Sequence, residues 1–367
     1  MPPPDAIEAV SQRLDKFFSM RRSEAADWGP EAASLIEAAA GALRGGKRLR
    51  ARFCLTGWRA VEEAPGVRSD AAPASAVISA AAALEVFHAA ALVHDDIIDN
   101  SDTRRGRPAA HRALERLHHD AGWVGDAAAF GRSGAILLGD LLVAWSDDLF
   151  EEGMDAASAA VSAATVARTE YGRMRREVTV GQFLDVAEEA AFRSEPDERH
   201  ADRALRVASL KSARYSVQQP LLIGAALAGA DAAQLDALAA FGHPLGMAFQ
   251  LRDDVLGVFG DEAVTGKPSG DDLREGKRTV LVAFARERLA PSARRVVDEL
   301  IGDPELDEVQ IAALQRTIQE SGALERVEAL ISDYSRQAER ALNGARLGNA
   351  AVGDLRDLAR EATARAA

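Results

Sequence analysis

Apolar residues recur along most of the chain at intervals of three and four positions. This spacing places them on one face of an α-helix, which can then be buried against neighbouring helices. No stretch shows the strict alternation of apolar and polar residues that indicates a half-buried strand. The pattern therefore predicts an all-α fold. One such stretch contains Leu137, Leu138, Leu141, Leu142, Trp145 and Leu149.

Glycine and proline interrupt these stretches and mark the predicted helix ends. The sequence contains neither an internal repeat of about 20–50 residues nor a long linker rich in glycine, serine and proline. We therefore predict one helical domain over residues 1–367, with a motif-bearing part at about 41–280 and C-terminal helices at 281–367. The tail from Leu342 is predicted to be a surface helix. The interruptions fall at Gly45 and Gly46, Pro65 and Gly66, residues 106–108, residues 194–196, Gly229, residues 260–270 and residues 302–304.

The composition agrees with a globular protein and excludes several functions. Hydrophobic residues make up 47% of the chain and charged residues 28%, so the chain can bury a core. The formal net charge of -13 argues against a nucleic-acid partner, which requires concentrated positive charge. The single cysteine, Cys54, excludes an intrachain disulfide framework and favours a reducing, cytoplasmic compartment.

Residues 71–93 are nearly uncharged and have the length of a membrane span. They are mostly alanine, and Glu85 and His88 interrupt them, so we predict a buried core helix and no membrane span. The N-terminus lacks the basic region and apolar stretch of a secretory signal.

An aspartate-rich motif follows the apolar residues 89–93. It reads Asp95-Asp96-Ile97-Ile98-Asp99, and Asp95 and Asp99 share a helix face because they are four residues apart. Two carboxylates so close repel each other unless a cation lies between them, and oxygen ligands suit Mg²⁺, which also binds substrate phosphates. Arg104 and Arg105 follow the motif. The alternative interpretation is a solvated acidic helix end.

A second aspartate-rich motif repeats this arrangement. Phe249 and Gln250 precede Asp253 and Asp254, and a glycine-rich loop with further charges follows. Two such motifs facing each other across a helical bundle would bind metal ions, which in turn would bind a diphosphate. The further charges of the loop are Asp261, Lys267, Asp271, Asp272, Lys277 and Arg278.

Two smaller clusters are candidate phosphate sites. Lys47 and Arg50 follow Gly45 and Gly46, and a glycine-rich turn with basic side chains can hold phosphate. Lys211 beside the hydroxyl of Ser212 could do the same. Taken alone, each cluster is better explained by ordinary exposed basic residues.

Taken together, these residues resemble the trans-isoprenyl diphosphate synthases, or polyprenyl synthetases, and most resemble a geranylgeranyl diphosphate synthase. The resemblance extends from about Gly45 to Thr279, with the motifs in the order of the family. It implies an all-α bundle of the isoprenoid-synthase type around a central apolar cavity, usually a homodimer. It also implies a transferase that condenses isopentenyl diphosphate with an allylic diphosphate.

The resemblance also implies a role for each matching residue, with about three Mg²⁺ ions per active site. Asp95 and Asp99 would bind two ions with Asp96 in support, and Asp253 would bind a third with Asp254 nearby. Asp185 would order metal-bound water. The allylic diphosphate would be held by Arg104, Lys211, Ser212, Gln250, Lys267 and Lys277, and isopentenyl diphosphate by Gly46, Lys47, Arg50, His88 and Arg105. Without the resemblance, His88 would be read as a core histidine.

Three positions depart from the family pattern. Gly257 stands where a third aspartate of the second motif is usual, so one carboxylate is missing or Asp261 partly replaces it. Ser212 replaces the usual threonine and keeps the hydroxyl. Ala51 stands where proline often follows the basic cluster.

Product length depends on how far the apolar pocket extends below the first motif. Ala90 and Ala91 are small, and in this family a bulky aromatic there tends to stop growth at fifteen carbons. Phe87, with Trp145 as a second candidate, would form the pocket floor, so we predict a twenty-carbon product, geranylgeranyl diphosphate. The alternatives are a farnesyl or longer polyprenyl diphosphate synthase, a terpene cyclase, and a non-catalytic partner subunit.

Overall fold

The structure, a computed structural model, describes residues 4–66, 71–158, 160–261 and 269–363. These residues form helices joined by short turns, which confirms the all-α prediction, whereas the extent of the domain stays a prediction. The helices are α1 (Pro4–Ala25), α2 (Pro30–Ala42), α3 (Leu49–Glu62), α4 (Ala74–Ile98), α5 (Ala110–Asp120), α6 (Ala127–Ala156), α7 (Val161–Ala191), α8 (His200–Val207), α9 (Gln219–Leu227), α10 (Ala232–Phe259), α11 (Asp271–Glu275), α12 (Val280–Arg288), α13 (Pro291–Leu300), α14 (Glu308–Glu320), α15 (Ala323–Ala341) and α16 (Asn349–Thr363). A π-helical segment (Ala208–Gln218) lies between α8 and α9, and two short 3₁₀ turns (Phe192–Ser194 and Asp197–Arg199) precede α8.

A small β-hairpin after α4 was not predicted. Its strands β1 (Thr103–Arg104) and β2 (Arg107–Pro108) pair antiparallel. The central residues Arg105 and Gly106 both have positive φ angles, 54° and 69°, as a tight two-residue hairpin turn requires. Strands of two residues are too short to show alternation, so the sequence pattern could not reveal them.

Local capping sequences explain where several helices begin. At α10 the Asp231 side chain accepts from the Gln234 backbone amide, while the Gln234 side chain accepts from the Asp231 amide. Asp307 and Gln310 form the same reciprocal pair at α14. Each pair satisfies two amide groups that would otherwise lack a partner at the helix start.

Helix α4 lies at the centre of the largest hydrophobic core and packs along α6, α3 and α1. Both α4 and α6 are long and apolar enough to cross a membrane by length and composition alone. The most apolar window of α4 is 72% buried, in agreement with the predicted core helix, whereas that of α6 is only 28% buried. Helix α6 therefore presents an apolar side outward.

The C-terminal helix α16 is the helix predicted for the tail, and one of its faces packs on α3. Ala351, Leu355 and Leu358 are buried on one face of the helix. Its polar side forms ion pairs with α3, Arg59 with Asp354 at 2.7 Å and Arg52 with Glu361 at 2.9 Å. The helix is amphipathic and closes the core beneath α3.

Helices α3 and α9 approach each other closely through two glycines. A Cβ atom on Gly57 would lie 2.3 Å from the carbonyl oxygen of Leu221, and a Cβ atom on Gly224 would lie 1.8 Å from the carbonyl oxygen of Cys54. These contacts are with backbone atoms, which cannot move without shifting a helix.

Gly224→Ala is therefore expected to lower the free energy of unfolding by about 1–3 kcal/mol, because the added methyl group overpacks the contact. The control is Gly353→Ala in α16, where a Cβ atom would meet no other atom within 4 Å. Its higher helix propensity should leave stability equal or up to about 1 kcal/mol greater. Chemical denaturation measures both, and equal stabilities for the two variants would contradict the close approach.

Candidate active site

The first aspartate-rich motif lies at the C-terminal end of α4. The Asp95 Oδ1 atom accepts from Gln182 Nε2 at 3.1 Å and lies 3.4 Å from Lys211 Nζ. Asp99 Oδ2 accepts from Lys277 Nζ at 2.6 Å. Burial raises the pKa of Asp95, but the positive charges of Lys211, Lys277 and Arg104 outweigh it, so the net pKa is lowered. For Asp99, burial and the Asp95 charge prevail over Lys277, and the pKa is raised.

Asp96 differs from the two aspartates that flank it. Its side chain is almost fully buried and accepts from Arg104 Nε at 2.8 Å, with a second contact from Arg104 Nη2. Arg104 Nη2 also lies 3.5 Å from Asp95. Burial lowers the pKa of Arg104, but the hydrogen bond and charge of Asp96 outweigh this effect, so the net pKa is raised. Asp96 thus fixes Arg104 beside the motif.

The π-helical segment positions Lys211. Lys211 Nζ donates to Asp185 Oδ2 at 2.5 Å and so lies between Asp185 of α7 and Asp95 of α4. Close backbone contacts fix the segment on both sides. A Cβ atom on Gly181 of α7 would lie 2.4 Å from the Lys211 amide nitrogen, and one on Gly246 of α10 would lie 2.4 Å from the Ala213 carbonyl oxygen.

The second motif lies near the end of α10. Gln250 Nε2 donates to Asp254 Oδ1 at 2.7 Å. Burial, with smaller contributions from neighbouring carboxylates, raises the pKa of Asp254 to about 8. Beyond the motif, Lys277 also lies 3.2 Å from Glu275. Burial lowers the pKa of Lys277, but Asp99, Asp95 and Glu275 raise it well above its usual value. Lys267 lies outside the described residues.

Both motifs line one cavity of about 620 Å³. Its lining includes carboxylates, cations and apolar side chains. Among the described residues, no three acidic, histidine or cysteine side chains lie close enough to form a metal site by themselves. The carboxylates of the two motifs are oxygen ligands of the kind that Mg²⁺ takes together with waters and substrate phosphates. The lining includes Asp95, Arg104, Asp185, Lys211, Ser212, Gln250, Asp253, Asp254 and Lys277.

The basic cluster lines a second cavity of about 930 Å³ that shares a wall with the first. Arg105 lies across Gly46, where a Cβ atom would be 2.7 Å from its guanidinium, and donates to the Arg44 carbonyl at 3.2 Å. His88 Nδ1 lies 2.9 Å from the hydroxyl of Tyr215. The structure thus brings together all five residues predicted to hold isopentenyl diphosphate: Gly46, Lys47, Arg50, His88 and Arg105.

Three further residues of the site were not identified as candidates. Gln182 contacts Asp95, and Tyr215 contacts His88 while its ring packs under the Arg50 guanidinium at 4.2 Å. Glu85, buried in α4, accepts from the Ala51 amide at 3.0 Å, a hydrogen bond that proline at position 51 could not make. Glu85 is the only acidic residue of positions 71–93, and this isolation was the signal that could have identified it.

The predicted pocket-floor residues lie in different places. Ala91 lines the first cavity, whereas Ala90 is fully buried in the core. Phe87, one turn below Ala91, packs against Tyr215 with ring centroids 5.9 Å apart. Trp145 packs edge-to-face on two aromatics of α1, Phe17 at 6.0 Å and Phe18 at 5.8 Å.

The fold and site together define a class of protein: a helical bundle with two carboxylate clusters and two sets of cations around adjoining cavities. A family model described as polyprenyl synthetase matches residues 33–318, and the chain belongs to this family. It is a transferase that elongates prenyl chains. The family match therefore favours chain elongation over the alternative of a terpene cyclase.

Individual relatives differ in the product that their names give. The chain is similar to a geranylgeranyl pyrophosphate synthase from Corynebacterium glutamicum, solved with isoprenyl diphosphate and magnesium, with 37% identity, a TM-score of 0.91 and 100% of both chains covered. It is 32% identical over 357 residues to heptaprenyl diphosphate synthase component 2 of Geobacillus stearothermophilus, covering 97% of this chain and 94% of the relative. It is also 32% identical over 294 residues to geranylfarnesyl diphosphate synthase of Aeropyrum pernix, covering 80% and 82%. These names leave the product length open.

Glu189, one turn after Asp185 on α7, is a partly buried carboxyl that interacts with Asp185 and Asp99. Burial, together with the charges of Asp185 and Asp99, raises the pKa of Glu189 from 4.5 to about 7. When a carboxyl has a higher pKa in the folded than in the unfolded protein, the free energy of unfolding falls as the pH rises from the unfolded-state pKa to the folded-state pKa.

Glu189→Gln should therefore raise the free energy of unfolding of the metal-free protein at pH 8 by about 1 kcal/mol, a value reduced for partial solvent screening. At pH 5 the gain should be much smaller. Denaturant titrations at both pH values measure it, with exposed Glu198→Gln as the control. An equal gain at pH 5 and pH 8 would rule out this titration as the cause.

Proposed function

We propose that the protein condenses isopentenyl diphosphate with an allylic diphosphate in a Mg²⁺-dependent reaction that ends at the twenty-carbon product. The observation that carries the proposal is the pair of adjoining cavities. One cavity has both aspartate-rich motifs and Lys211 and Lys277 around it, and the other has a cluster of cations. Two diphosphates can therefore bind side by side with their reacting carbons close together.

The first cavity would hold the allylic diphosphate. Asp95, Asp99 and Asp253 would bind Mg²⁺, with Asp185 and Asp254 in support. When bound there, Mg²⁺ would neutralise the diphosphate and make it a better leaving group. Lys211, Lys277 and Arg104 would donate to phosphate oxygens and stabilise the negative charge that grows as the carbon–oxygen bond breaks. In the structure these cations contact the aspartates.

The second cavity would hold isopentenyl diphosphate. Lys47, Arg50 and Arg105 supply the positive charge, and Gly46 leaves room for the Arg105 guanidinium. Burial and the nearby arginines hold the pKa of His88 well below its usual value, so His88 is neutral and can hydrogen-bond to Tyr215. The double bond would attack the allylic carbon, and the released proton would pass to the departing diphosphate. Apolar walls would exclude water from the cationic intermediate.

Product length would be limited by the apolar end of the first cavity. Ala91 lines this cavity and is small, so the chain can grow past it. Phe87 lies one turn below and is anchored against Tyr215. The likeness to a geranylgeranyl pyrophosphate synthase with 37% identity supports a twenty-carbon product.

Purified protein incubated with isopentenyl diphosphate and a five-, ten- or fifteen-carbon allylic primer should give a Mg²⁺-dependent twenty-carbon diphosphate.

Phe87→Ala should lengthen the product, because the smaller side chain deepens the pocket. Ala91→Phe should shorten the product to fifteen carbons, because the larger side chain fills the pocket. Product sizing by chromatography measures both, with exposed Val309→Ala as the control. An unchanged product in both variants would remove Phe87 as the floor. No elongation by the wild type would contradict the proposed function and favour a partner subunit.

We further propose a cytoplasmic homodimer formed through α6 and α7. Leu137 on α6 is 62% exposed and Phe183 on α7 is 70% exposed, although both are apolar. The two helices border a common surface, because Arg168 of α7 and Glu151 of α6 form an exposed ion pair at 2.7 Å. A second copy could bury these apolar side chains.

Light scattering on a sizing column should give twice the 39.0 kDa chain mass for the wild type. The double variant Leu137→Glu, Phe183→Glu should give the monomer mass, because charged side chains would be buried without partners. Val309→Glu, an equally exposed apolar position on α14, should remain dimeric. A monomeric wild type would contradict the homodimer.

A further inference from the structure

Gly257, the position of the missing aspartate in the second motif, lies directly against another carboxylate. A Cβ atom built on Gly257 would lie 2.0 Å from Asp272 Oδ2, 2.3 Å from its Cγ and 2.7 Å from Oδ1. No real Cβ contact is so short, so the Asp272 carboxylate occupies the space that a side chain at position 257 would need. Both residues line the first cavity.

The backbone around Asp272 fixes this position. Asp272 lies in the first turn of α11. A glycine with left-handed backbone conformation flanks the helix at each end, Gly270 with φ 74° and Gly276 with φ 84°. Leu273 is fully buried, and its carbonyl accepts from the Gly302 amide at 2.8 Å. The helix is thus anchored to the bundle, with Asp272 directed towards α10.

Asp272 lies beside the second motif and the lysine that follows it. It lines the same cavity as Asp253, Asp254 and Lys277. Its carbonyl accepts from the Lys277 amide at 3.0 Å. Asp272 therefore neighbours both the motif and the lysine that follows it.

We propose that Asp272 supplies the third carboxylate of the second aspartate-rich motif from fifteen residues further along the chain, and that Gly257 is present because it leaves room for this carboxylate. The inference rests on the proposed function, since it concerns the same Mg²⁺-diphosphate site. Asp261, the sequence-based candidate for the replacement, is exposed and does not line either cavity.

A carboxylate at either position 257 or position 272 should then be able to serve the site. Asp272→Ala removes the carboxylate and opens the space beside Gly257. Gly257→Asp restores the usual motif but places its Cβ atom against Asp272. The double variant Gly257→Asp, Asp272→Ala moves the carboxylate from one position to the other without the clash.

Binding of inorganic pyrophosphate as a function of Mg²⁺ concentration tests this exchange without relying on turnover. Calorimetry should show that Asp272→Ala raises the Mg²⁺ concentration for half-saturation about tenfold, as expected for loss of a supporting carboxylate. Gly257→Asp alone should bind less well than the wild type and melt at a lower temperature. In the double variant the Mg²⁺ concentration for half-saturation should return most of the way to the wild-type value. Asp261→Ala is the control, and it should behave as the wild type.

Two outcomes would overturn the proposal: unchanged Mg²⁺ dependence in Asp272→Ala, or a double variant no better than the worse single variant. Thermal melts without ligands identify any variant that fails to fold, and Asp272→Asn then replaces Asp272→Ala as the less disruptive change. The wild-type elongation assay distinguishes failure of this inference from failure of the proposed function. If the wild type elongates primers while Asp272→Ala binds normally, only this inference fails; if the wild type does not elongate, the proposed function fails.

Discussion

The crowding of carboxylates around one cavity is the constraint on which the rest of the structure depends. Like charges held close together in a partly buried place raise the free energy of the folded state unless cations balance them. Lys211 lies between Asp95 and Asp185, and Lys277 lies between Asp99 and Glu275. Each lysine therefore serves two acids, an arrangement that leaves negative charge for a divalent cation to neutralise.

Close backbone contacts bring these cations from distant parts of the chain. Gly181 and Gly246 let α7 and α10 press on the π-helical segment from both sides, which sets the direction of Lys211. A wide π turn is less regular than an α-helix and often occurs at functional sites. Gly46 similarly admits Arg105 from a hairpin turn. At these positions an ordinary side chain would displace a charged group of the site.

The sequence was sufficient to predict the helical architecture, both aspartate-rich motifs and the basic cluster, because each depends on short-range spacing. Glycine and proline marked most helix boundaries, but the turn between α6 and α7 lies in an alanine-rich stretch that contains neither residue. The contact of Gly257 with Asp272 could not be predicted, since it joins two helices across a loop. The π-helical segment depends on packing between α7 and α10, and Trp145 contacts α1, so neither follows from local spacing.

The position of α16 makes this helix part of the support of the basic cluster. Its Glu361 contacts Arg52 on α3 and lies 3.7 Å from Lys47 of the basic cluster. Removal of the last turn of α16, which carries Glu361, would therefore alter the electrostatic surroundings of Lys47 as well as the stability of the bundle, and an affinity measured on such a protein would carry that change.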